Sequence, residues 1–348
     1  MDKDDILLTT NGMFIIDDII KNNGDRYTNI PGGGGTYAAI GAVIVSPSQE
    51  VKRRIKWIVD QGFDFPDELT AQIKGFGTGV TFRKDSSRRT TRGLNEYRLN
   101  DLRDFKYVTE KRQISVSDWI ELFGQTNLQA AKCIHLVSSG DRTLSILKEL
   151  PNDANNLIIW EPLPSDCIHE NLDRYISILN RDELIFISPN AEEGARLFNV
   201  REPKYIDECK ILIKKFGGIL KPSSICILRC GKLGSLVLTE QIDNRRDIIH
   251  YPAYHCNTSD RVIDPTGGGN SFLGGFAIGY VLTNDIHIAS ICGNVAAGCI
   301  IEELGIPKYD INSDKWNGLT FYERLEIYIK SFNLSQDASV VYRKIYEQ

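Results

Sequence analysis

The chain has 348 residues, of which 42% are hydrophobic and 25% charged, and its formal net charge is −5. This balance is typical of a globular protein with a sizeable core. It argues against direct binding of nucleic acid, which needs a large basic surface. The sequence has no run of 18 apolar residues, so no membrane span is predicted. The acidic start, Met1–Asp5, does not resemble a signal peptide.

The eight cysteines are scattered along the chain, and none form a C-x-x-C pair. Most lie in apolar runs such as Ile225–Leu228, so we expect reduced core residues rather than zinc ligands or disulfides. Reduced thiols are typical of cytosolic or nuclear proteins. A cytoplasmic location is therefore the expectation.

The predicted elements begin with a strand at Ile6–Ile16, a helix at Thr36–Val45 and a helical stretch at Gln49–Asp60. Later apolar runs are typical of strands, at Cys133–Val137, Leu157–Trp160, Leu184–Ile187 and Ile225–Leu228. Strands that alternate with helices predict an α/β fold with a mainly parallel central sheet flanked by helices. Binding sites in such sheets lie beyond the carboxyl ends of the strands.

Residues from about 76 to 116 are polar, rich in arginine and threonine, and include the alternating stretch Val80–Arg83. This composition predicts a long surface excursion from the main fold. After about Pro307 the chain becomes polar and helical.

The stretch D-P-T-G-G-G-N-S-F, at residues 264–272, is followed by an apolar segment that ends at Leu282. Gly267, Gly268 and Gly269 favour a tight loop that leads into a buried helix. Unpaired N–H groups and the helix dipole make such a junction a site for anions. We therefore predict an anion site at this loop.

Two polar patterns lie in the N-terminal part of the chain. Asp17 follows Gly12 by five residues, and Gly32 and Gly33 begin a run of four glycines before the helix that carries Tyr37. Asp17 either caps a helix or binds a ligand. The glycines either form a flexible turn or let the backbone approach a ligand closely.

Two further patterns follow later strands. Asn190 and Glu193 have the spacing of a helix capping box. Arg229, Gly231 and Gly234 indicate a turn, either in a simple hairpin or beside an anion. A buried arginine at the end of a strand needs an anionic partner, which is either a phosphate or a carboxylate such as that of Glu193.

The 264–272 stretch resembles the D-T-T-G-A-G-D-S-F signature of the pfkB/ribokinase family of sugar and nucleoside kinases, in a spelling similar to its fungal maintenance-of-killer branch. The resemblance implies a ribokinase-like α/β domain over residues 1–310, with a small β lid within about 75–116 and a C-terminal helical tail at 311–348. It implies ATP and Mg²⁺ as cofactors and a small sugar-like molecule as substrate. Homodimerisation through the lid is a further expectation.

The same resemblance implies roles for individual residues. It implies substrate binding by Asp17, Gly32, Gly33 and Tyr37. It implies nucleotide binding by Asn190, Glu193, Arg229, Gly231, Gly234 and Asn294. Among these, Asn190 and Glu193 would organise Mg²⁺ through its waters. Tyr37 and Arg229 depart from the family pattern, which often has asparagine and threonine at these positions.

Asn270 stands where the family has its catalytic aspartate, whereas Gly267, Gly268 and Gly269 keep the anion hole. An amide cannot take a proton at neutral pH, and general-base catalysis is worth ~10²–10⁴ in rate. We therefore predict a protein that binds ATP and Mg²⁺ with weak or lost sugar-kinase activity. A regulatory or structural role would follow, such as maintenance of double-stranded RNA virus particles in fungi. The alternative is an active ATP-dependent carbohydrate or nucleoside kinase.

Overall fold

The computed structural model describes residues 5–97, 103–151 and 155–347. The strands are β1 (Leu8–Thr10), β2 (Ile15–Ile20), β3 (Arg26–Gly32), β4 (Lys56–Gln61), β5 (Gly79–Lys84), β6 (Arg92–Tyr97), β7 (Arg103–Tyr107), β8 (Cys133–Ser138), β9 (Leu157–Pro162), β10 (Leu184–Ile187), β11 (Cys226–Arg229), β12 (Ser235–Leu238), β13 (Ile248–Tyr251), β14 (Tyr309–Asp310) and β15 (Lys315–Trp316). The α-helices are α1 (Gly34–Ile44), α2 (Gln49–Arg53), α3 (Asp67–Gly75), α4 (Val116–Phe123), α5 (Gln125–Gln129), α6 (Gly140–Glu149), α7 (Leu172–Leu179), α8 (Ala191–Leu197), α9 (Ile206–Gly217), α10 (Gly268–Thr283), α11 (Ile286–Ile300), α12 (Phe321–Phe332) and α13 (Ala338–Tyr346).

A seven-stranded sheet of order β1-β8-β9-β10-β11-β12-β13 forms the centre of the molecule. Neighbouring strands from β1 to β11 run parallel, whereas β12 and β13 are antiparallel to their neighbours. Successive side chains of a strand point to opposite faces. Leu157 and Ile159 accordingly join one hydrophobic core, while Ile158 and Trp160 join a second. This mainly parallel sheet with a core on each face confirms the predicted α/β fold.

Helices α1 and α10 pack backbone against backbone on one face of the sheet. A Cβ atom on Gly41 would overlap the Ser271 backbone, and one on Gly274 would overlap the Ala38 carbonyl oxygen. Only glycine permits this approach. The packing brings the start of α10 against the start of α1, where a Cβ on Gly34 would lie 3.2 Å from Asn270 Nδ2.

The predicted helix at Gln49–Asp60 is wrong beyond its first turn. Helix α2 ends at Arg53, and β4 begins at Lys56 and pairs in parallel with β5. The apolar run Ile55–Val59 is short enough to fit a helix or a strand. Its β-branched side chains and nearly complete burial favour the strand.

The predicted strand at Ile6–Ile16 is divided into two, β1 and the first part of β2. Asn11 and Gly12 lie between them. The Asn11 side-chain oxygen accepts a hydrogen bond from the Val137 N–H at 2.7 Å. A Cβ on Gly12 would overlap the backbone of Gly35 at the start of α1. These tertiary contacts turn the chain from the central sheet into a second sheet.

The second sheet has four strands in the order β3-β2-β6-β7. Strands β6 and β7 lie within the range 75–116 in which a lid is predicted, and β2 and β3 precede that range. Strand β5, also within the range, pairs with β4 instead. We refer to this four-stranded sheet as the small sheet.

The C-terminal helices α12 and α13 pack on the main domain, with Phe321, Leu325 and Ile345 buried in its core. Arg324 is completely buried and pairs with Glu302 through two nitrogen–oxygen contacts of 2.9 and 2.7 Å. Within the three described ranges, no helix is long and apolar enough to cross a lipid bilayer. The structure describes all eight cysteines and joins none of them in a disulfide.

Candidate functional site

Residues of several elements meet beyond the carboxyl ends of the parallel strands. Asn190 follows β10, and Gly231 follows β11. A cavity of about 530 Å³ lies between these turns, and Arg229 and Lys232 line it together with both residues. Its position is the one expected for a ligand site in a parallel α/β sheet.

The glycine loop leads into α10 as predicted. Gly267 precedes the helix with a φ of 81°, a left-handed conformation that favours glycine. A Cβ there would also overlap the Tyr37 ring, which therefore packs directly on the loop. The Gly268 N–H donates to the Pro265 carbonyl oxygen at 3.2 Å. The N–H groups of Gly269 and Asn270, with the helix dipole, favour an anion at this helix end.

Asn270 lies in this first turn and is hydrogen-bonded to a carboxylate on β9. Its Nδ2 donates to Glu161 Oε2 at 2.7 Å. The same oxygen lies 3.2 Å from His135 Nε2, and His135 Nδ1 lies 3.1 Å from the Thr10 hydroxyl. Because an ionised carboxylate only accepts hydrogen bonds, the network places a hydrogen on His135 Nε2.

Arg229 connects this carboxylate to the turn after β10. Its Nη1 lies 2.7 Å from Glu161 Oε1, and its Nη2 lies 3.4 Å from Glu193 Oε2. A Cβ on Gly269 would overlap Arg229 Nη1, so the guanidinium lies against the glycine loop. The carboxylates of Glu161 and Glu193 therefore supply the anionic partner that this buried arginine needs.

Glu161 is held in its ionised form despite burial. Burial opposes ionisation, but the Arg229 charge and the hydrogen bonds from His135 and Asn270 outweigh it and lower the pKa to about 2. This carboxylate is therefore charged at every pH near neutrality. Its charge is balanced inside the protein by the guanidinium.

Asn190 and Glu193 form the predicted capping box at the start of α8. The Glu193 N–H donates to Asn190 Oδ1 at 2.8 Å, and the Asn190 N–H donates to Glu193 Oε2 at 2.7 Å. Burial raises the Glu193 pKa to about 7, against the opposing influence of the Arg229 charge, and repulsion from Glu161 adds to the rise. Glu193 therefore changes its charge near neutral pH.

Asp17 lies on the small sheet, where two glycines make room for its carboxylate. A Cβ on Gly32 of β3 would overlap Asp17 Oδ2, and a Cβ on Gly93 of β6 would lie 2.6 Å from Oδ1. The Tyr37 hydroxyl would lie 3.6 Å from the same Gly32 Cβ. Gly33, with a φ of 94°, precedes α1. The four predicted substrate-binding residues thus lie close together, where the small sheet meets the start of α1.

The other predicted nucleotide residues lie at the turn between β11 and β12. Gly231 has a φ of 55° and open space where a Cβ would be. Gly234 has a φ of 91°, and its Cβ would overlap the Tyr251 carbonyl oxygen. Asn294 of α11 is 4% exposed and donates to Ser235 Oγ at 3.0 Å. Its amide thus contacts the residue that follows the turn.

Comparison with known proteins decides the family. The model for pfkB family carbohydrate kinases matches residues 94–308, more than half of the chain. Protein MAK32 of Saccharomyces cerevisiae is 46% identical over 97% of this chain and 96% of its own. The chain belongs to the pfkB family of carbohydrate kinases.

Solved structures share this pfkB fold at low sequence identity. Ribokinase from Giardia lamblia matches with a TM-score of 0.68 and 18% identity, covering 95% of this chain and 100% of its own. Ribokinase from Arabidopsis thaliana, solved with ribose and ATP, matches with a TM-score of 0.63 and 17% identity, covering 92% and 97%. The described chain therefore has the ribokinase-like fold.

The sequence patterns do not indicate three residues of this candidate site: Glu161, His135 and Gly93. Glu161 directly follows the apolar run Leu157–Trp160, and a carboxylate at the carboxyl end of a parallel strand is a usable signal. Gly93 lies inside a strand, where glycine often marks a close approach. His135 lies in an apolar run and offers no such signal.

The residues present fit a magnesium nucleotide, although they do not form a closed metal site. Within the described ranges, no group of three or more His, Cys, Asp or Glu side chains could hold a metal ion. Mg²⁺ usually keeps several waters and takes one or two carboxylates together with substrate phosphates. Glu193 and Asn190 offer such oxygen ligands near the glycine loop.

The raised pKa of Glu193 predicts a pH-dependent stability. The folded state favours the protonated carboxyl, because its pKa is about 7 instead of the ordinary 4.5. This stabilisation is complete below about pH 4.5 and is lost as the pH rises through about 7. We expect the Tm of the wild type, in EDTA, to fall relative to that of Glu193→Gln between pH 5 and pH 8.

The neighbouring Glu192→Gln is the matched control, because the Glu192 side chain is 61% exposed. The Glu192 charge adds least to the rise in the Glu193 pKa, so the Tm of Glu192→Gln should stay close to that of the wild type from pH 5 to pH 8. Parallel Tm curves for Glu193→Gln and the wild type would show that Glu193 is ionised throughout this range.

Proposed function

We propose that this protein binds ATP with Mg²⁺ in the cleft beyond β10 and β11 and transfers phosphoryl groups weakly or not at all. The observation that carries the proposal is Asn270, which occupies the first turn of α10 at the position of the family's catalytic aspartate and donates its amide hydrogen to Glu161. The side chain at this position cannot act as a general base. A rate loss of ~10²–10⁴ follows, which corresponds to roughly 3–5 kcal/mol in the barrier.

The groups that favour nucleotide binding are retained. The loop at Gly267–Gly269 and the start of α10 offer N–H donors to phosphate oxygens. Lys232 and Lys204 line the cavity and add positive charge. Asn190 and Glu193 would hold Mg²⁺ through its waters, and the metal would neutralise phosphate charge. Binding would therefore survive the loss of the base.

Stabilisation by Mg-ATP tests the binding part of this proposal. A ligand at 100 times its Kd stabilises the folded state by about 2.7 kcal/mol. We expect the Tm of the wild type to rise by several degrees with Mg-ATP and not with Mg²⁺ alone. An unchanged Tm at millimolar Mg-ATP would contradict nucleotide binding.

The alternative is an active carbohydrate or nucleoside kinase. It is favoured by Asp17, whose carboxylate lies over Gly32 and Gly93 and would bind substrate hydroxyls, and by Glu161, an ionised carboxylate one hydrogen bond from Asn270. ATP consumption on a panel of sugars and nucleosides separates the two functions. Robust turnover that is lost in Asp17→Asn would favour the active kinase.

We also propose that the small sheet is the lid of this site and that it joins two copies of the chain. Tyr27, Phe105 and Tyr107 of this sheet are each 37–40% exposed, which supports an interface. Sedimentation equilibrium of the full chain should give a dimer, and Phe105→Ser should shift it towards monomer. A monomeric wild type at micromolar concentration would contradict this part of the proposal.

A cytoplasmic regulatory or structural role is proposed in place of metabolic turnover. The resemblance to the fungal maintenance-of-killer branch favours maintenance of double-stranded RNA virus particles. The net charge of −5 favours an indirect role over direct contact with RNA.

A further inference from the structure

The carboxylate of Glu161 collects hydrogen-bond donors from three different elements. Asn270 Nδ2 from α10 and His135 Nε2 from β8 reach Oε2, and Arg229 Nη1 from β11 reaches Oε1. The Glu161 side chain is 10% exposed, so these donors largely replace water. An ionised carboxylate can accept from all three donors at once, and the charge of Arg229 favours that form.

This arrangement fixes the orientation of the Asn270 amide. A carboxylate offers no hydrogen, so the amide nitrogen must face Glu161 and the amide oxygen must point away from it. Asn270 lies at the start of α10, and its Nδ2 faces the Gly34 backbone at the start of α1. The amide oxygen is thereby held as a hydrogen-bond acceptor in a single orientation.

We propose that Glu161 is a positioning residue that fixes the Asn270 amide and excludes a carboxylate from position 270. The acid and the amide of this pair form one unit, with the acid on β9 and the amide on α10. The inference rests on the proposed function only in treating this pair as part of the phosphoryl-transfer site.

The pairing has a consequence for restoring the family's aspartate. Asn270→Asp alone would bring two carboxylates to the 2.7 Å spacing that Asn270 Nδ2 and Glu161 Oε2 now have. Two carboxylates about 3 Å apart cannot both be ionised. They share one proton instead. Glu161→Gln combined with Asn270→Asp keeps one acid and one amide, with the hydrogen bond running in the opposite direction.

The polar and charged groups around the pair allow this exchange. Arg229 faces it from β11 and His135 from β8, while Glu193 of α8 reaches it only through Arg229. In the double variant, the acid at 270 remains close to Arg229, because the guanidinium lies against Gly269. The single Asn270→Asp variant instead places two acids beside one arginine.

The test is a thermal-unfolding cycle of wild type, N270D, E161Q and E161Q/N270D in EDTA, without nucleotide, from pH 5.5 to pH 8.5. A shared proton raises the apparent pKa of the acid pair in the folded N270D variant. The stability that this proton contributes to the variant is lost as the pH rises through that pKa. We expect N270D to lose about 5 °C or more in Tm at pH 8.5 relative to wild type, and clearly less at pH 5.5.

E161Q/N270D should recover at least half of the Tm loss at pH 8.5 and show the pH dependence of wild type. The control is E192Q/N270D, which removes an exposed acid and should rescue nothing. An N270D variant whose Tm matches wild type at both pH values would overturn the proposal. Additive effects of E161Q and N270D, with no rescue, would overturn it as well.

The thermal-unfolding cycle contains no nucleotide, so its result does not depend on whether the protein binds Mg-ATP. Failure of Mg-ATP to raise the Tm of wild type would remove the proposed function and leave the coupling of Glu161 and Asn270 intact. Failure of the cycle would remove the coupling and leave nucleotide binding as measured.

Discussion

Arg229→Leu is expected to lower the free energy of unfolding by about 3–5 kcal/mol at pH 8, because it leaves a buried carboxylate without its cation. The Arg229 side chain is 11% exposed and contacts both Glu161 and Glu193. Without the guanidinium, burial is the dominant influence on Glu161, and its pKa rises. Urea denaturation of the wild type and the variant gives the difference directly.

The loss should depend on pH in a definite direction. In the wild type, the low pKa of Glu161, about 2, contributes stability that is present above about pH 4.5 and is lost as the pH falls towards 2. The difference between Arg229→Leu and wild type should therefore be larger at pH 8 than at pH 4.

Arg245→Leu is the matched control, because Arg245 is exposed and its substitution should change stability by no more than about 0.5 kcal/mol. Removing both charges with Arg229→Leu and Glu161→Gln should cost less than Arg229→Leu alone. Equal stabilities of the Arg229→Leu and Arg245→Leu variants would contradict the assigned ion pair.

Gly269→Ala is expected to weaken Mg-ATP binding by about 10–100-fold, or ~1.4–2.7 kcal/mol. A Cβ at this position would overlap Arg229 Nη1, and the guanidinium cannot move away without breaking its contact with Glu161. The first turn of α10 and the arginine would thus be displaced together. Calorimetric titration of wild type and variant with Mg-ATP measures the change.

Gly268→Ala is a control from the same loop. A Cβ there would lie 3.0 Å from Ile301 Cγ2 and near no backbone atom, and the partly buried Ile301 can shift by the few tenths of an ångström required. We expect its Kd for Mg-ATP to remain within about twofold of the wild type. Equal weakening by both substitutions would show that the loop, rather than Arg229, sets the affinity.

Much of the fold follows from local patterns in the sequence. The predicted bounds of β8 to β11 agree with the structure to within two residues, because each strand is a short apolar run between polar segments. The glycine loop before α10 was predicted because glycines before an apolar helix favour a tight turn. These features depend on neighbouring residues, and the sequence shows neighbours directly.

The features that were missed depend on contacts between distant parts of the chain. The Asn270–Glu161 hydrogen bond joins residues 109 positions apart, and no local pattern indicates that β9 and α10 meet there. The apolar run of β4 is short and fits both periods, so the local pattern predicts a helix there. The pattern also joins β2 to β1, because the Asn11 contact that separates them involves β8.

The proposed function requires a site that binds ATP but lacks an effective base at position 270. It can be tested by a single-turnover experiment with excess protein, labelled ATP, Mg²⁺ and a mixture of sugars and nucleosides. We predict that wild type leaves bound ATP intact on the timescale on which typical kinases, at 1–100 per second, complete turnover. We predict that E161Q/N270D converts it roughly 10²-fold faster than wild type. Conversion by wild type at the rate of a typical kinase would show that the site keeps an effective base.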